Sequence, residues 1–488
     1  MSNNFIDIDY EQLFGSDSGE DEDANALRSY FVDLPEFQKF YDPNKPLVIV
    51  RGRKGMGKSA LLKRLSLKLQ EKPDSDEIVI VVTGNELMGM GNFSGTDQAY
   101  LENHWKQVIC KRLCVEIGRR INYAFTDSTM SMVEAAEIEG YKGSNLISAL
   151  TDRVGGAIVG LFGSSDDGVQ TPFLKKGVTN PTEAVKRFQG NRDRTVWLLV
   201  DDIDAKYLDD EANQQRVGAF FSAIRSLAFS VSGLRIRASV RTDVWRNLRY
   251  MEDQDKLRGY VIDITWKDQT LRSIFAKRIH SYLKRENFLP ALQWDTNANY
   301  DDIVGQVFED RLRWDSKYVE PFIPVKILAG NRPRWMGQLC KLAGAYATHS
   351  RIDISHITRA MKDFGQEKIA DVKKEHLHQF SDLAKVLDIF RSGKREYNRY
   401  QIVSLIEKIY IEKVGVGAVP FVNGYPFKTA DQIAEFLYQI DFVTARYSGK
   451  NDFVPFHEDP DLFGSNENQR NLIMWTVNVS YRNFLRIV

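Results

Sequence analysis

The sequence predicts an α/β core built on a parallel sheet, followed by an all-helical region and a C-terminal unit of three helices and a β-hairpin. Three observations carry that expectation. From residue 46 to about 265, apolar runs of strand length ("PLVIV", "EIVIVVTG", "TVWLLVDD", "LRIRASV", "YVIDIT") alternate with helical patterns; near-continuous β-branched runs separated by helices are what a parallel sheet buried on both faces requires. From 266 to about 370 the pattern is wholly helical, with Gly/Pro punctuation at "PFIPVKILAGNRPR". After 371, "DLAKVLDIF", "YQIVSLIEKIYIEK" and "TADQIAEFLYQI" lead into "FVTARY" and "DFVPF", joined by "SGKN".

In chain order, residues 1–27 contain "SDSGEDEDA", an acidic stretch too poor in apolar surface to order itself except by docking. It is expected to be a flexible tail. Residues 28–265 form the α/β core, interrupted at about 86–190 by a helical insertion whose later part is rich in Gly and Ser. Residues 266–370 form a helical lid, and 371–488 a winged-helix-like domain. At 488 residues the chain is too long for one hydrophobic core, so several domains are expected. Lys+Arg and Asp+Glu both number 66, so any contact with nucleic acid or an anionic membrane must come from a local patch. Cys110, Cys114 and Cys340 lack metal or disulfide spacing and read as buried thiols of a reducing compartment. No targeting pattern opens the chain, and no apolar run approaches 18 residues; "GGAIVGLFG" (155–163) is too short to span a bilayer. A cytoplasmic protein is expected.

The stretch "VIVRGRKGMGKSALLKRL" (48–65) satisfies G-x-x-x-x-G-K-[ST] with Gly52, Gly57, Lys58 and Ser59, between a buried strand and an amphipathic helix. Polyphosphate needs several converging N–H donors, and a loop folded over a helix N-terminus supplies them from Lys54, Gly55, Met56, Gly57, Lys58, Ser59 and Ala60. Lys58 places a point charge against the β/γ oxygens, and the Ser59 hydroxyl is a hard ligand for Mg²⁺. The plain alternative is a glycine-rich turn. "VWLLVDDIDAKY" then puts Asp201 and Asp202 at the end of a buried strand, the edge where open parallel sheets bind ligands. Asp201 suits the Mg²⁺ shell and Asp202 the orientation of an attacking water. Asp204 reads chiefly as a helix cap, a role Asp202 could share.

On these motifs, with "IRASVRTDVW" and "GNRPRWMGQL", the chain resembles the AAA+-like and STAND-like P-loop ATPases close to the bacterial origin-recognition-type branch, over about 46–480. The resemblance implies an ATP-binding and hydrolysing switch with ATP and Mg²⁺ as cofactors. It implies a polar γ-phosphate contact from Arg241 or Thr242, and a lid arginine, Arg334 or less readily Arg332. It also implies a homo-oligomer with an arginine finger supplied in trans, for which Arg216, Arg225, Arg246 and Arg258 are candidates. Such proteins often serve bacterial stress, conflict or antiviral defence beside a separate effector, so a protein partner is expected. Many relatives carry Glu at the position of Asp202, so hydrolysis here is expected to be slow or partner-stimulated. ATP rather than GTP rests on the resemblance, since no N-K-x-D element occurs.

A winged helix suggests DNA, but the segment 429–441 carries Asp431, Glu435 and Asp441 with no Lys or Arg, and residues 371–488 hold fifteen of each charge. Nucleic acid is therefore disfavoured relative to a protein contact, with Arg446, Lys450 and "RSGKREYNRY" (391–400) arguing the other way. Tyr438, Phe442, Phe453, Phe456, Trp475 and Tyr481 read as core rather than as a stacking platform. No G-x-S-x-G or H-E-x-x-H occurs.

Overall fold

A computed structural model describes residues 8–17, 19, 21–71, 77–89, 93, 97–120, 127–138, 180–190, 195–205, 207, 210–248, 254–288, 293, 299–314, 316–348, 350–377, 379–414, 421–422, 425–426, 429–449, 453–456 and 458–487. The chain begins with α1 (Tyr10–Phe14), α2 (Ala24–Tyr30) and α3 (Phe37–Tyr41), then β1 (Leu47–Gly52), α4 (Lys58–Gln70), β2 (Ile78–Thr83), α5 (Gly84–Gly89), α6 (Gln98–Arg120) and α7 (Asp127–Ile138). After the helix Pro181–Gly190 come β3 (Val196–Asp201), the helix Glu211–Ser230, β4 (Leu234–Arg241) and β5 (Val261–Asp263).

The five strands pair in parallel in the order β2-β3-β4-β1-β5. Strand alternation sends Leu47, Ile49, Leu198, Val200 and Ile236 to one face, under α6, α7 and the helices Pro181–Gly190 and Glu211–Ser230. Val48, Val50, Trp197 and Leu199 face α3 and α4. Both faces are covered, which is why the strands read as continuous apolar runs. The insertion's described helices belong to this core: Trp105 is fully buried and donates through Nε1 to the Arg216 carbonyl at 2.9 Å. Its Gly/Ser-rich part, including 155–163, lies outside the described residues. Cys110, Cys114 and Cys340 are free and buried, as expected.

Arg237 of β4 ties the entry to β1. It is fully buried, stacks 4.8 Å from the Trp197 ring, and donates to the carbonyls of Phe40 (2.6 Å), Asp42 (2.8 Å) and Lys45 (3.0 Å). Those acceptors lie at the C-terminal end of α3 and in the loop that enters β1, where helix carbonyls lack partners. Burial, reinforced by Arg235, brings its pKa down to about 9.

The lid packs the helices Asp268–Arg285, Phe322–Leu328 and Pro333–Tyr346 around Phe275, Phe322, Trp335 and Leu339. The expected border at 370/371 falls inside a single helix, Ile354–His376, capped by Asp353. Ile357, Ala360 and Phe364 belong to the lid core, while Ile369 and Val372 belong to the C-terminal core. The C-terminal unit holds the helices Leu383–Asp388 and Arg399–Leu405, the latter continuing as a π-helix over Ile406–Val414, and the helix Ala430–Gln439. Its antiparallel sheet orders Phe453–Val454, Val443–Tyr447, Ile473–Val477 and Glu396–Asn398. The hairpin was legible in the sequence; Ile473–Val477 and the three-residue edge Glu396–Asn398 were not. Of the aromatic set, five members are core, but Phe453 is 53% exposed on the short outer strand.

The acidic lead is docked, not free, over its described residues. Leu13 and Phe14 enter the lid core, and Tyr10 lies against Gly344, where any Cβ would overlap its ring. Glu22 is buried and accepts from Arg278 (3.0 Å), the Tyr30 hydroxyl (3.0 Å) and the Ser16 amide (3.1 Å), while its carbonyl accepts from Lys63 of α4 (2.7 Å). Acidity here supplies counter-ions to the lid rather than solvation. Glu22→Ala strands the buried Arg278 charge, so a loss of about 3 kcal/mol in stability is expected, read as a lowered melting temperature.

Candidate nucleotide site

The phosphate loop is built by backbone conformations that side chains resist. Gly55 (φ +82°) and Gly57 (φ +97°) are left-handed, and Gly57 is the N-cap of α4. Gly55 packs under Arg334, whose Cβ lies 3.4 Å from where a glycine Cβ would stand, and the Arg334 amide approaches the Gly55 carbonyl at 3.4 Å. Lys58 is 7% exposed and folds over the loop, donating to the carbonyls of Gly52 (3.1 Å) and Arg53 (3.3 Å). Trp266, just after β5, donates from Nε1 to the Met56 carbonyl at 3.0 Å.

A cavity of about 540 Å³ opens on this loop. Of the residues expected from sequence, it is lined by Lys54, Gly55, Met56, Gly57, Lys58, Ser59, Ala60, Asp202, Arg241 and Arg334. Gly52, Asp201 and Thr242 are not on its wall; Gly52 ends β1 and Thr242 opens the helix Thr242–Asn247. The docked N-terminal segment adds Asp17, Gly19, Glu22 and an apolar wall of Leu27, Phe31, Val32 and Phe37, completed by Trp266 and Ile274. The mouth thus combines a charged half with an apolar and aromatic half, the two chemistries a nucleotide presents. Gly19 sits so close to Ala60 that a Cβ would lie 2.8 Å from the Ala60 amide nitrogen.

Asp201 ends β3 on the α4 side of the sheet and is 6% exposed. Its Oδ1 accepts from the Ser239 hydroxyl and from the Asp202 amide (3.0 Å). Asp202 is left-handed (φ +51°), an unfavourable conformation held by that bond, by a second from its amide to Ser239 Oγ (3.2 Å), and by Gly84. A Cβ on Gly84 would overlap Ile203 and approach the Asp202 carbonyl to 2.7 Å, so this turn fits only against glycine. Neither Asp202 nor Asp204 caps the following helix, because Asp210 does, accepting from the Asn213 amide at 2.8 Å. Asp204 instead lines the cavity at 1% exposure, with Oδ2 accepting from the Arg241 amide (2.7 Å) and Oδ1 buried without a partner. Burial pushes its carboxyl up, against the pull of Arg241 and Lys58.

Arg241 reaches the cavity already engaged, forked onto Asp243 and 3.4 Å from Glu375 of the helix Ile354–His376. Burial opposes its charge, but Asp243 and Glu375 outweigh it and hold the guanidinium above its ordinary pKa. Arg334 presents a buried Nε with no partner, whereas Arg332 is turned to Asp441 (3.1 Å) and the Trp335 ring (4.2 Å). Of the finger candidates, Arg246 stacks 4.4 Å from the Phe456 ring and Arg258 pairs with Asp255 at 2.8 Å. Sequence reasoning missed Glu22, Arg278, Trp266 and Glu375, whose partners lie far along the chain; for Asp204 the signal was present in "DDID".

These features are a P-loop, an acidic strand end one strand removed from it, and a parallel sheet of fixed order. The fold is that of a P-loop NTPase. No family model and no curated protein matches the chain. Among solved structures it is similar to a Walker-type ATPase of Pyrococcus abyssi (12% identity, 93% of this chain and 95% of that one, TM-score 0.41) and to the ORC2 protein of Aeropyrum pernix (11%, 97% and 95%, 0.41). It is also similar to domain III of the replication initiation protein DnaA of Thermotoga maritima (14%, 70% and 97%, 0.33).

The Gly84 contact makes a specific demand. Gly84→Ala should push the Asp202–Ile203 turn off its position, and the overpacking should cost about 1–3 kcal/mol in stability, read as a lowered melting temperature.

Proposed function

We propose that the chain is an ATP-binding and hydrolysing switch whose nucleotide state governs how its C-terminal domain is held, and through that the recruitment of a partner and self-assembly. The observation that carries this reading is a clasp on the phosphate loop itself. Arg53, inside the loop, forms an ion pair with Asp441, the left-handed residue after the helix Ala430–Gln439, and Arg332 of the lid holds the same carboxylate at 3.1 Å. Lys54 stands 3.9 Å from Asp371, and Arg241 joins Glu375. Loop, lid and C-terminal domain therefore share their cations with carboxylates that a triphosphate would rival.

Burial and the neighbouring Arg332 and Arg246 bring Arg53 down to about 9, so this corner is crowded with positive charge. A bound triphosphate adds negative charge next to that crowd and weakens the hold of Asp441. In this reading the amides of Lys54 to Ala60 and the Lys58 ammonium hold the phosphates, and Arg334 meets the γ-phosphate. The Ser59 hydroxyl and the second oxygen of Asp201 hold the Mg²⁺ shell. A hard, oxygen-only donor set fits Mg²⁺, which keeps several waters and leans on phosphate oxygens. That ion would neutralise charge as it develops on the phosphates.

A second reading, a DNA-binding ATPase acting through the winged helix, has its own observation. The domain is neutral by count, yet Lys394, Arg395, Arg482 and Arg486 form no ion pair among the described residues. Two backbone ties bring their segments together, the Ser392 amide to the Leu485 carbonyl (2.8 Å) and the Val477 amide to the Arg395 carbonyl (2.9 Å). A concentration of unpaired cations suits a phosphate backbone. Neutral composition argues against nucleic acid; the segregation of charge removes that argument.

Lys58→Ala should weaken ATP binding about 100-fold, and Asp441→Ala should shift nucleotide-free protein to the hydrodynamic radius and mass that the parent adopts only with ATP. Light scattering with and without ATP checks this, and an unchanged profile for Asp441→Ala would end the clasp reading. Salt-sensitive DNA binding that is lost in Lys394→Glu/Arg395→Glu favours the second.

A further inference from the structure

Among the described residues of the cavity, Asp204 is the carboxylate for which the fold provides half an environment. Its Oδ2 is oriented by the Arg241 amide, which fixes the plane of the group against the end of β4. Its Oδ1 is buried and has no hydrogen-bond partner, on a residue that lines the cavity together with Lys58 and Arg241. A buried acceptor left unmade costs about 1–3 kcal/mol, more when charged, and persists where a ligand completes it. Neither flanking acid has this character. Asp201 is tied to Ser239, and Asp202 is partly exposed on a left-handed turn.

Resting on the ATP-hydrolysing reading above, we propose that Asp204 is a catalytic residue whose Oδ1 accepts a hydrogen bond from a water at the γ-phosphate, the role sequence reasoning gives to Asp202. The water oxygen attacks the γ-phosphorus as the bond to the bridging oxygen breaks; ADP leaves with that bond's electron pair. The proton drawn toward Asp204 passes on to the phosphate released. The neighbouring charges suit this role, because Lys58 and Arg241 lie close enough to pull the carboxyl toward its ionised, accepting form, against the push of burial. The Arg241 amide keeps it from rotating out of line.

Accepting from the attacking water is separable from a share in the Mg²⁺ shell. The experiment compares the full chain with Asp204→Asn, Asp204→Ala and Asp202→Asn in three measurements: melting temperature without nucleotide, equilibrium affinity for a fluorescent ATP analogue with and without Mg²⁺, and single-turnover hydrolysis. Asparagine still accepts from the Arg241 amide, so Asp204→Asn should melt within about 2 °C of the parent and bind ATP within threefold. Its hydrolysis should nonetheless fall at least 100-fold, well beyond Asp202→Asn. The Mg²⁺-dependent part of ATP affinity should survive in Asp204→Asn; its disappearance would place Asp204 in the metal shell and overturn the assignment. Hydrolysis within threefold of the parent in Asp204→Asn overturns the proposal, as does a fall of more than about 5 °C in its melting temperature, which would assign Asp204 to the fold. A parent chain that does not bind ATP, or Lys58→Ala binding like the parent, removes the phosphate site first and is recognisable before Asp204 is reached.

Discussion

The structure depends on a short, half-buried loop whose turn requires left-handed backbone. Gly57 at φ +97° starts α4 in a conformation that a side chain would oppose, and Lys58 folds back to satisfy the Gly52 and Arg53 carbonyls. Everything that surrounds the loop is placed by it. β1 and α4 hold its ends, Trp266 braces it at Met56, Arg334 covers Gly55, and the C-terminal domain grips Arg53. A site held from four directions can transmit a change at its centre, because none of the holders can move independently of it.

The contacts that assemble these parts are charged and lie at junctions, while each unit's interior is apolar. Arg53 and Arg332 with Asp441, and Arg241 with Glu375, join segments whose buried apolar residues belong to different cores, while Glu22 with Arg278 reinforces a junction that Leu13 and Phe14 also hold. Apolar junctions of the same area would be stronger and less responsive. Ion pairs at such junctions weaken when a competing charge arrives.

What was legible in the sequence was whatever depends on local spacing. The glycines and Lys-Ser pair of the loop, the apolar runs of β1 to β5 and the wing hairpin are patterns within a dozen residues, and they are where the sequence placed them. What was not legible depends on partners far away. The acidic lead reads as solvated until Arg278, 256 residues on, supplies its counter-ion. The border between lid and winged helix is invisible because one continuous helix serves both cores.

Asp204 shows the same limit at the scale of a single motif. In "DDID" the strand end assigns roles to the first two acids, and the habit of Asp as a helix cap ranks the third last. Two things that only packing decides bear on that ranking. The next helix begins at Glu211 with its own cap, Asp210, so Asp204 is not needed there. The tight fit of Gly84 against Asp202 and Ile203 bends the chain after β3, and beyond that bend Asp204 stands beside Lys58 and Arg241 on the cavity wall. A glycine some 120 residues away thus helps shape the turn that carries Asp202 and Asp204 to the cavity wall, and a strand-end motif read alone cannot express that dependence.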